Sequence, residues 1–327
     1  MEQDERRWDV IVVGGGPAGL AGAIALLRSR RSVLVIDDGQ PRNAPAGHVH
    51  NFLTRDGTPP AELLAAGRAE VVAYGGTLLH RRVRSAATRD DGFEVVVDGG
   101  TAGPNPLQAR RLLVTTGLTD RLPAVPGLSE RWGRDVLHCP YCHGWEVRDQ
   151  AVGVLGGPMA VHQALLFRQL TSDVIMFTHT GPIPADDELN LLRGRSIRIV
   201  TGEVSGLVVE QDALSGVRMA GGEVVARQAL VIAPRYSANA EVLGSLGLDT
   251  TEMIVADHVV GEYVPSDPMS GATAAPGVYV AGNVADPMAQ VIGAANAGLR
   301  AGAAINADLV MAEARQAVEL VDKRAAR

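Results

Sequence analysis

Many hydrophobic positions in this chain come as short unbroken runs, with alternation at 93–97, and glycines follow the first run. Residues 9–13 (Asp-Val-Ile-Val-Val) read as a strand buried on both faces, since a parallel strand covered by helices on each side shows a continuous apolar run. Gly14, Gly15, Gly16 and Gly19 make a turn over 14–19, a small-residue helix follows over 20–30, and a second strand at 32–36 runs into Asp37. The same plan returns at 151. A strand over 152–155, the turn Gly156-Gly157-Pro158-Met159-Ala160, a helix to about 170 and a strand over 174–177 repeat the architecture without repeating the sequence. Helical spacing at 61–74, a strand at 93–97, and further strands at 112–115, 197–200, 204–209, 229–233 and 278–281 complete the pattern. A helix over 293–310 is rich in small residues and must pack closely. Strands alternating with helices place the chain in the α/β class, with two nucleotide-binding-type (Rossmann-like) units. Pro123, Pro126 and Gly127 suit a crossover between them.

A length of 327 residues with 46% apolar content is enough for two domains with substantial cores. A formal net charge of −7 and 4% aromatic residues argue against a nucleic-acid groove, which needs a basic track and stacking side chains. Residues 10–27 carry no charge and imitate a signal or membrane segment. Five glycines and Pro17 spoil such a helix, so no membrane partner and a cytoplasmic location are expected.

Two places carry chemistry. In Gly14-x-Gly16-x-x-Gly19, with Pro17 and Ala18 inside the motif, glycines admit a pyrophosphate to the backbone and the helix N-terminus attracts its charge. Asp37 is placed to bind ribose hydroxyls, ahead of Asp38 one residue further on. The other place is Cys139-Pro140-Tyr141-Cys142-His143, which holds both cysteines of the chain. A pair at this spacing can close a local disulfide, and in the cytosol it is catalytic rather than structural. His143 can take and return protons near neutral pH and steady a neighbouring thiolate.

Other readings of these letters are weaker. Cys-x-x-Cys-His also spells a c-type haem attachment site, which requires export and a haem-sized pocket. The glutaredoxin tetrapeptide belongs near the start of a small domain, not mid-chain. A zinc site from His138, Cys139, Cys142 and His143 would be crowded, and no metal is expected. His48 and His50 lie in the loop 41–56, which can line a substrate pocket, although a surface or core role is the expectation for each. Tyr141 and Trp145 can wall the disulfide, or Trp145 can anchor the core. His179 is expected at the surface, and Asp186, Asp187 and Glu188 at a helix N-terminus.

Together these pieces resemble, over nearly the whole chain, the low-molecular-weight thioredoxin reductases of the thioredoxin reductase / glutathione reductase superfamily. The resemblance implies an FAD-binding domain in two parts, 1–118 and 246–327, around a central NADPH-type domain at 119–245. It implies FAD on Gly14, Gly16, Gly19 and Asp37. Thr115-Thr116-Gly117 is similar to the second FAD motif, and 277–284 to the C-terminal one, with Gly282, Asn283 and, near the flavin, Gln290. Asn283 stands where the family usually carries Asp, and its carbonyl can still accept from a ribityl hydroxyl.

The second unit departs further from the family. Pro158 replaces a glycine, the loop is one residue short, and Thr178-His179-Thr180 stands where NADPH users carry a His-Arg-Arg type cluster. Cys139–Glu146 resembles the motif of the FAD-dependent dithiol oxidases of natural-product pathways, the gliotoxin and holomycin type, with His143 in place of the reductases' Asp. The resemblance implies a small-molecule dithiol substrate, O2 as acceptor, Cys139 as the attacked sulfur, Cys142 nearest the flavin, and a homodimer. Its rivals are an NADPH-dependent disulfide reductase and a flavin-linked redox sensor.

Overall fold

The first apolar run becomes the central strand of a seven-stranded sheet. Arg7–Val13 lies parallel to Val33–Asp37 on one side and Leu107–Val114 on the other. Its side chains alternate between two cores. Ile11 and Val13 pack with Leu34, Ile36 and Val114 on one face, and Val10 and Val12 with Val33, Val35 and Leu113 on the other. Both faces are covered, which is why the sequence shows a run instead of alternation. Leu107–Val114 is long enough to carry two neighbours on its far edge: Gly92–Val97 runs antiparallel at one end and Val278–Val280 parallel at the other. The computed structural model describes residues 7–99 and 106–325.

The first helix is Pro17–Arg28, starting three residues before the predicted 20, because Pro17 at its first turn needs no N–H partner. The last helix is Val291–Ala325, much longer than the predicted 293–310. Its first half buries Ala294, Gly298, Ala301, Ile305 and Leu309 against Pro17–Arg28. A Cβ on Gly298 would stand 1.9 Å from the Ala18 carbonyl oxygen, so the two backbones touch. The second half buries no side chain, and its apolar residues, Val310, Met311, Val318, Leu320 and Val321, stay exposed. Glu313 in it pairs with Arg31 and with Arg110, which also holds Asp9.

The central unit is a five-stranded parallel sheet in the order Arg198–Val200, Val174–Phe177, Val152–Leu155, Ala229–Val231, Val136–Leu137. A three-stranded antiparallel layer, Val204–Glu210, Ala213–Met219 and Val224–Ala226, packs beside it. The chain enters this unit along Leu118–Arg121 and leaves along Arg235–Ala238, and the two crossing strands pair antiparallel. The exit thus lies before residue 245: Val242 and Leu243 are already buried in the core of the first unit.

Candidate active site

Both cysteines sit at the seam between the units. Val136–Leu137 delivers Cys139 to the N-cap of the short helix Pro140–His143, and the amides of Cys142 and His143 each donate to the Cys139 carbonyl at 3.2 Å. Gly144 closes the turn, since a Cβ there would meet Pro140 O at 2.3 Å and Leu170 Cδ1 at 2.4 Å. The two thiols are free and half-buried, with Cys142 Sγ donating to Cys139 Sγ at 2.8 Å. This donation is the main reason the Cys139 thiol falls to about 7, helped by the Cys142 and Tyr141 amides and by Arg42. The same bond, and after it burial, push the Cys142 thiol up and hold its proton on. The pair therefore has an acidic member and a protonated one.

His143 ends the turn. Burial lowers its pKa below the ordinary value, so it stands neutral, as a base, at neutral pH. Its Nε2 is buried and meets no hydrogen-bond partner among the described residues. The ring lines a cavity of about 400 Å³ together with His48, His50, Arg134, Leu137 and Glu146. Both loop histidines line this cavity, His48 from an exposed position, as expected of a surface residue, and His50 from a half-buried one. Loop 41–56 is tied to the redox segment by His50 Nε2 to Glu146 Oε1 at 3.2 Å and by Asn51 Nδ2 donating to the Tyr141 carbonyl at 2.6 Å. Tyr141 and Trp145 are about two-thirds exposed, and Trp145 carries the Arg148 guanidinium over its ring rather than anchoring the core.

Sequence reasoning missed the other wall. Arg42 holds Asp120 in a bidentate pair at 2.7 and 2.8 Å, donates to Asn283 Oδ1 at 3.2 Å and lies over the Tyr236 ring. Burial pushes the Tyr236 hydroxyl up to about 12, and it donates to His138 Nε2 at 2.7 Å, while His138 Nδ1 faces the Ile232 carbonyl at 3.0 Å. Both ring nitrogens of His138 thus face protein partners other than the thiols. Among the described residues no cluster of three or more His, Cys, Asp or Glu side chains can hold a metal ion. The available signal was an arginine in the loop after Asp37 opposite an aspartate on the crossover strand, a pairing that only the tertiary fold reveals. Replacing Arg42 with Met strips the cation from the buried Asp120 carboxylate, so we expect a loss of about 3 kcal/mol in stability. In the same variant a pH titration of thiolate absorbance should find Cys139 ionising at higher pH.

The residues expected to hold FAD are brought together. Gly14 adopts φ +106°, and Asp37 Oδ1 accepts the Gly15 amide at 2.9 Å. A Cβ on Gly19 would stand 1.9 Å from the Gly14 carbonyl oxygen, so loop and helix are in direct contact. Gly16, the N-cap of Pro17–Arg28, is different: a Cβ there meets nothing within 4 Å, and no side chain caps the helix. An open glycine face at an uncapped N-terminus fits a pyrophosphate. Gly282, with φ +76°, lies against Ala18. Asn283 Nδ2 donates to the Asp286 and Ala289 carbonyls at 3.0 and 2.9 Å, which an aspartate could not do. Its Oδ1 receives Arg42 and retains one lone pair for a hydroxyl. Thr116 Oγ1 is spent on the Asn239 carbonyl at 2.7 Å, leaving Gly117, at φ +70°, as the open part of that motif. Gln290 lies half-buried immediately before the last helix.

Beside the second glycine turn, just past the strand Val174–Phe177, two side chains are committed to the protein's own backbone. Thr178 Oγ1 accepts the Gly202 amide at 3.0 Å, and His179 Nδ1 accepts the Val204 amide at 3.1 Å. Pro158 contributes no N–H, and the following helix starts only at Ala160. Asp186, Asp187 and Glu188 form the first turn of Asp186–Gly194, as expected.

A family model described as pyridine nucleotide-disulphide oxidoreductase matches residues 8–302. Thioredoxin reductase sirT of Leptosphaeria maculans is 31% identical over 317 residues, covering 91% of this chain and 93% of that one. A probable thioredoxin reductase of Arthroderma benhamiae is 35% identical over 197 residues, 58% of this chain, and there the match spans 48% of the relative's length. The crystal structure of HlmI matches with a TM-score of 0.89 at 42% identity over 98% of both chains. An oxidoreductase from Agrobacterium tumefaciens matches with a TM-score of 0.85 at 34% identity, over 94% of this chain and 99% of that one. Motifs, fold and relatives agree, and the chain belongs to the pyridine nucleotide-disulphide oxidoreductase family, with the thioredoxin reductase-like fold.

Proposed function

We propose that this protein is a dithiol oxidase, converting a small-molecule dithiol into its internal disulfide through Cys139 and Cys142, with O2 as acceptor and hydrogen peroxide as product. The observation that carries the choice is the second glycine turn. Pro158 interrupts the cradle, and past the neighbouring strand Val174–Phe177 Thr178 and His179 serve backbone amides, where no arginine stands to receive a 2′-phosphate. Gly14, Gly16, Gly19, Asp37, Gly117, Gly282 and Asn283 would hold FAD. Held there, FAD would supply a two-electron acceptor for the reduced pair and the route from it to O2.

The chain's own residues handle sulfur and proton. With Cys139 and Cys142 joined, a substrate thiol gives its proton to His143 and its sulfur attacks Cys139 Sγ. The Cys139–Cys142 bond breaks, and Cys142 leaves with the electron pair. The second substrate thiol gives its proton to Cys142 and its sulfur attacks the first; the substrate disulfide forms and Cys139 leaves as thiolate. The low Cys139 pKa makes it a good leaving group, and the raised Cys142 pKa makes that sulfur the one that keeps a proton.

An oxygen electrode tests this reading. A small aliphatic dithiol alone should drive O2 uptake with one peroxide formed per disulfide, and His143→Ala should lose the acid limb of the pH profile. That limb arises because protonated His143 cannot act as base, and burial places it below the ordinary histidine value of about 6.5. O2 uptake that requires NADPH would overturn the reading. The relatives named thioredoxin reductase favour that second possibility, an NADPH-dependent disulfide reductase.

A further inference from the structure

The exchange removes two protons and two electrons from the substrate. The electrons end on the cysteine pair. One proton stays on Cys142, while Cys139 is thiolate above about pH 7. The other proton must leave, and it must return when peroxide, which carries two, is formed. His143 can accept it but, being buried, is a poor place to keep it.

The cavity beside His143 leads outward. His50 is held in it at both ring nitrogens, with Nε2 3.2 Å from Glu146 Oε1 and Nδ1 3.3 Å from Asp56 Oδ2. The His50 side chain is 20% exposed and that of Asp56 68%, so the contacts run from the interior to bulk solvent. The cavity's volume of about 400 Å³ leaves room for bridging water, at about 30 Å³ per molecule.

We propose that His50, with Glu146 and Asp56, relays the exchanged proton between His143 and solvent across this cavity. His143 releases its N–H proton to water or to Glu146, His50 takes it at Nε2 and gives one up at Nδ1 to Asp56, and the order reverses on return. Only N–H and O–H bonds change, and no electrons move. The relay rests on the reading of Cys139 and Cys142 as a thiol–disulfide exchange pair, and it serves an oxidase or a reductase equally. The charged and titratable groups around His143 are His48 and His50 from the loop 41–56, Arg134, Glu146, and the two thiols on its own turn.

The test uses the full-length flavoprotein and a small aliphatic dithiol, with His50→Gln and Glu146→Gln measured across pH, in H2O and D2O, with and without added imidazole. His50→Gln should lower kcat about tenfold, enlarge the solvent isotope effect and respond to imidazole. The acid limb should move in opposite directions. Glu146→Gln loses an anion that favours the His143 cation and shifts the limb to lower pH, whereas His50→Gln loses a ring whose charge, when it carries the relayed proton, disfavours that cation and shifts the limb to higher pH. Wild-type pH profiles and isotope effects in both variants would overturn the relay, as would a loss of kcat in His50→Gln that imidazole does not restore. If His50→Gln fails to fold, the limb shift and isotope effect of Glu146→Gln decide alone. If the unaltered protein consumes no O2 with the dithiol, the oxidase reading falls. The relay is then judged on the rate of exchange between dithiol and oxidised enzyme.

Discussion

Replacing Cys142 with Ala should abolish turnover, by roughly 10⁴-fold or more, while FAD stays bound. The variant should also move the surviving thiol. Cys142 donates the hydrogen bond that contributes most to lowering Cys139, so without it the Cys139 titration climbs back toward an ordinary thiol. Cys139→Ala should act in the opposite sense on Cys142, which loses the acceptor that raises it and ionises more readily. Thiolate absorbance against pH reads both variants. Their opposite movements distinguish a coupled redox pair from two unrelated buried cysteines, and loss of flavin from either variant would contradict the site as described.

The second large effect belongs to the glycine loop, where two neighbouring positions should behave differently. Gly19→Ala drives a Cβ to within 1.9 Å of the Gly14 carbonyl and 2.7 Å of Thr115 Oγ1. Since Thr115 Oγ1 is fixed on the Val13 and Gly14 carbonyls, the loop cannot yield cheaply, and a loss of about 3 kcal/mol with release of flavin is expected. Gly16→Ala meets nothing within 4 Å and has an ordinary φ of −76°, so the flavin-free protein should melt as the unaltered one does. A phosphate approaching that face would nevertheless meet the new methyl, and flavin affinity should fall about tenfold or more, about 1.4 kcal/mol. Unchanged affinity in Gly16→Ala would move the cofactor away from this loop.

The parts of the fold legible in the sequence were those with local signatures. The buried runs at 9–13 and 152–155 and the turns after them announce themselves because a strand covered on both faces needs no polar residue and a close backbone approach needs glycine. The hairpin layers were less readable. Thr251–Val255 and His258–Tyr263 are half-exposed, and their apolar content is set by one-sided packing, so their sequence carries no signal that separates them from loop. The second half of Val291–Ala325 has no buried face to give a period; it is tied down through Glu313 by ion pairs with Arg31 and Arg110, partners roughly 200 or more residues away in the chain. In the site, Cys139, Cys142 and His143 were readable because their spacing is local. Arg42, Asp120, Tyr236 and His50 were not, because each acts through a contact between the two units. His50 in particular looks like any loop histidine until Glu146 is brought to 3.2 Å.

Anaerobic mixing of the yellow protein tests the central claim most directly, with a small dithiol in one cuvette, NADPH in the other, and flavin absorbance followed in both. The account predicts bleaching by the dithiol alone, reversed by air with release of peroxide. Rapid bleaching by NADPH, with none by the dithiol, would contradict it and make this protein a reductase.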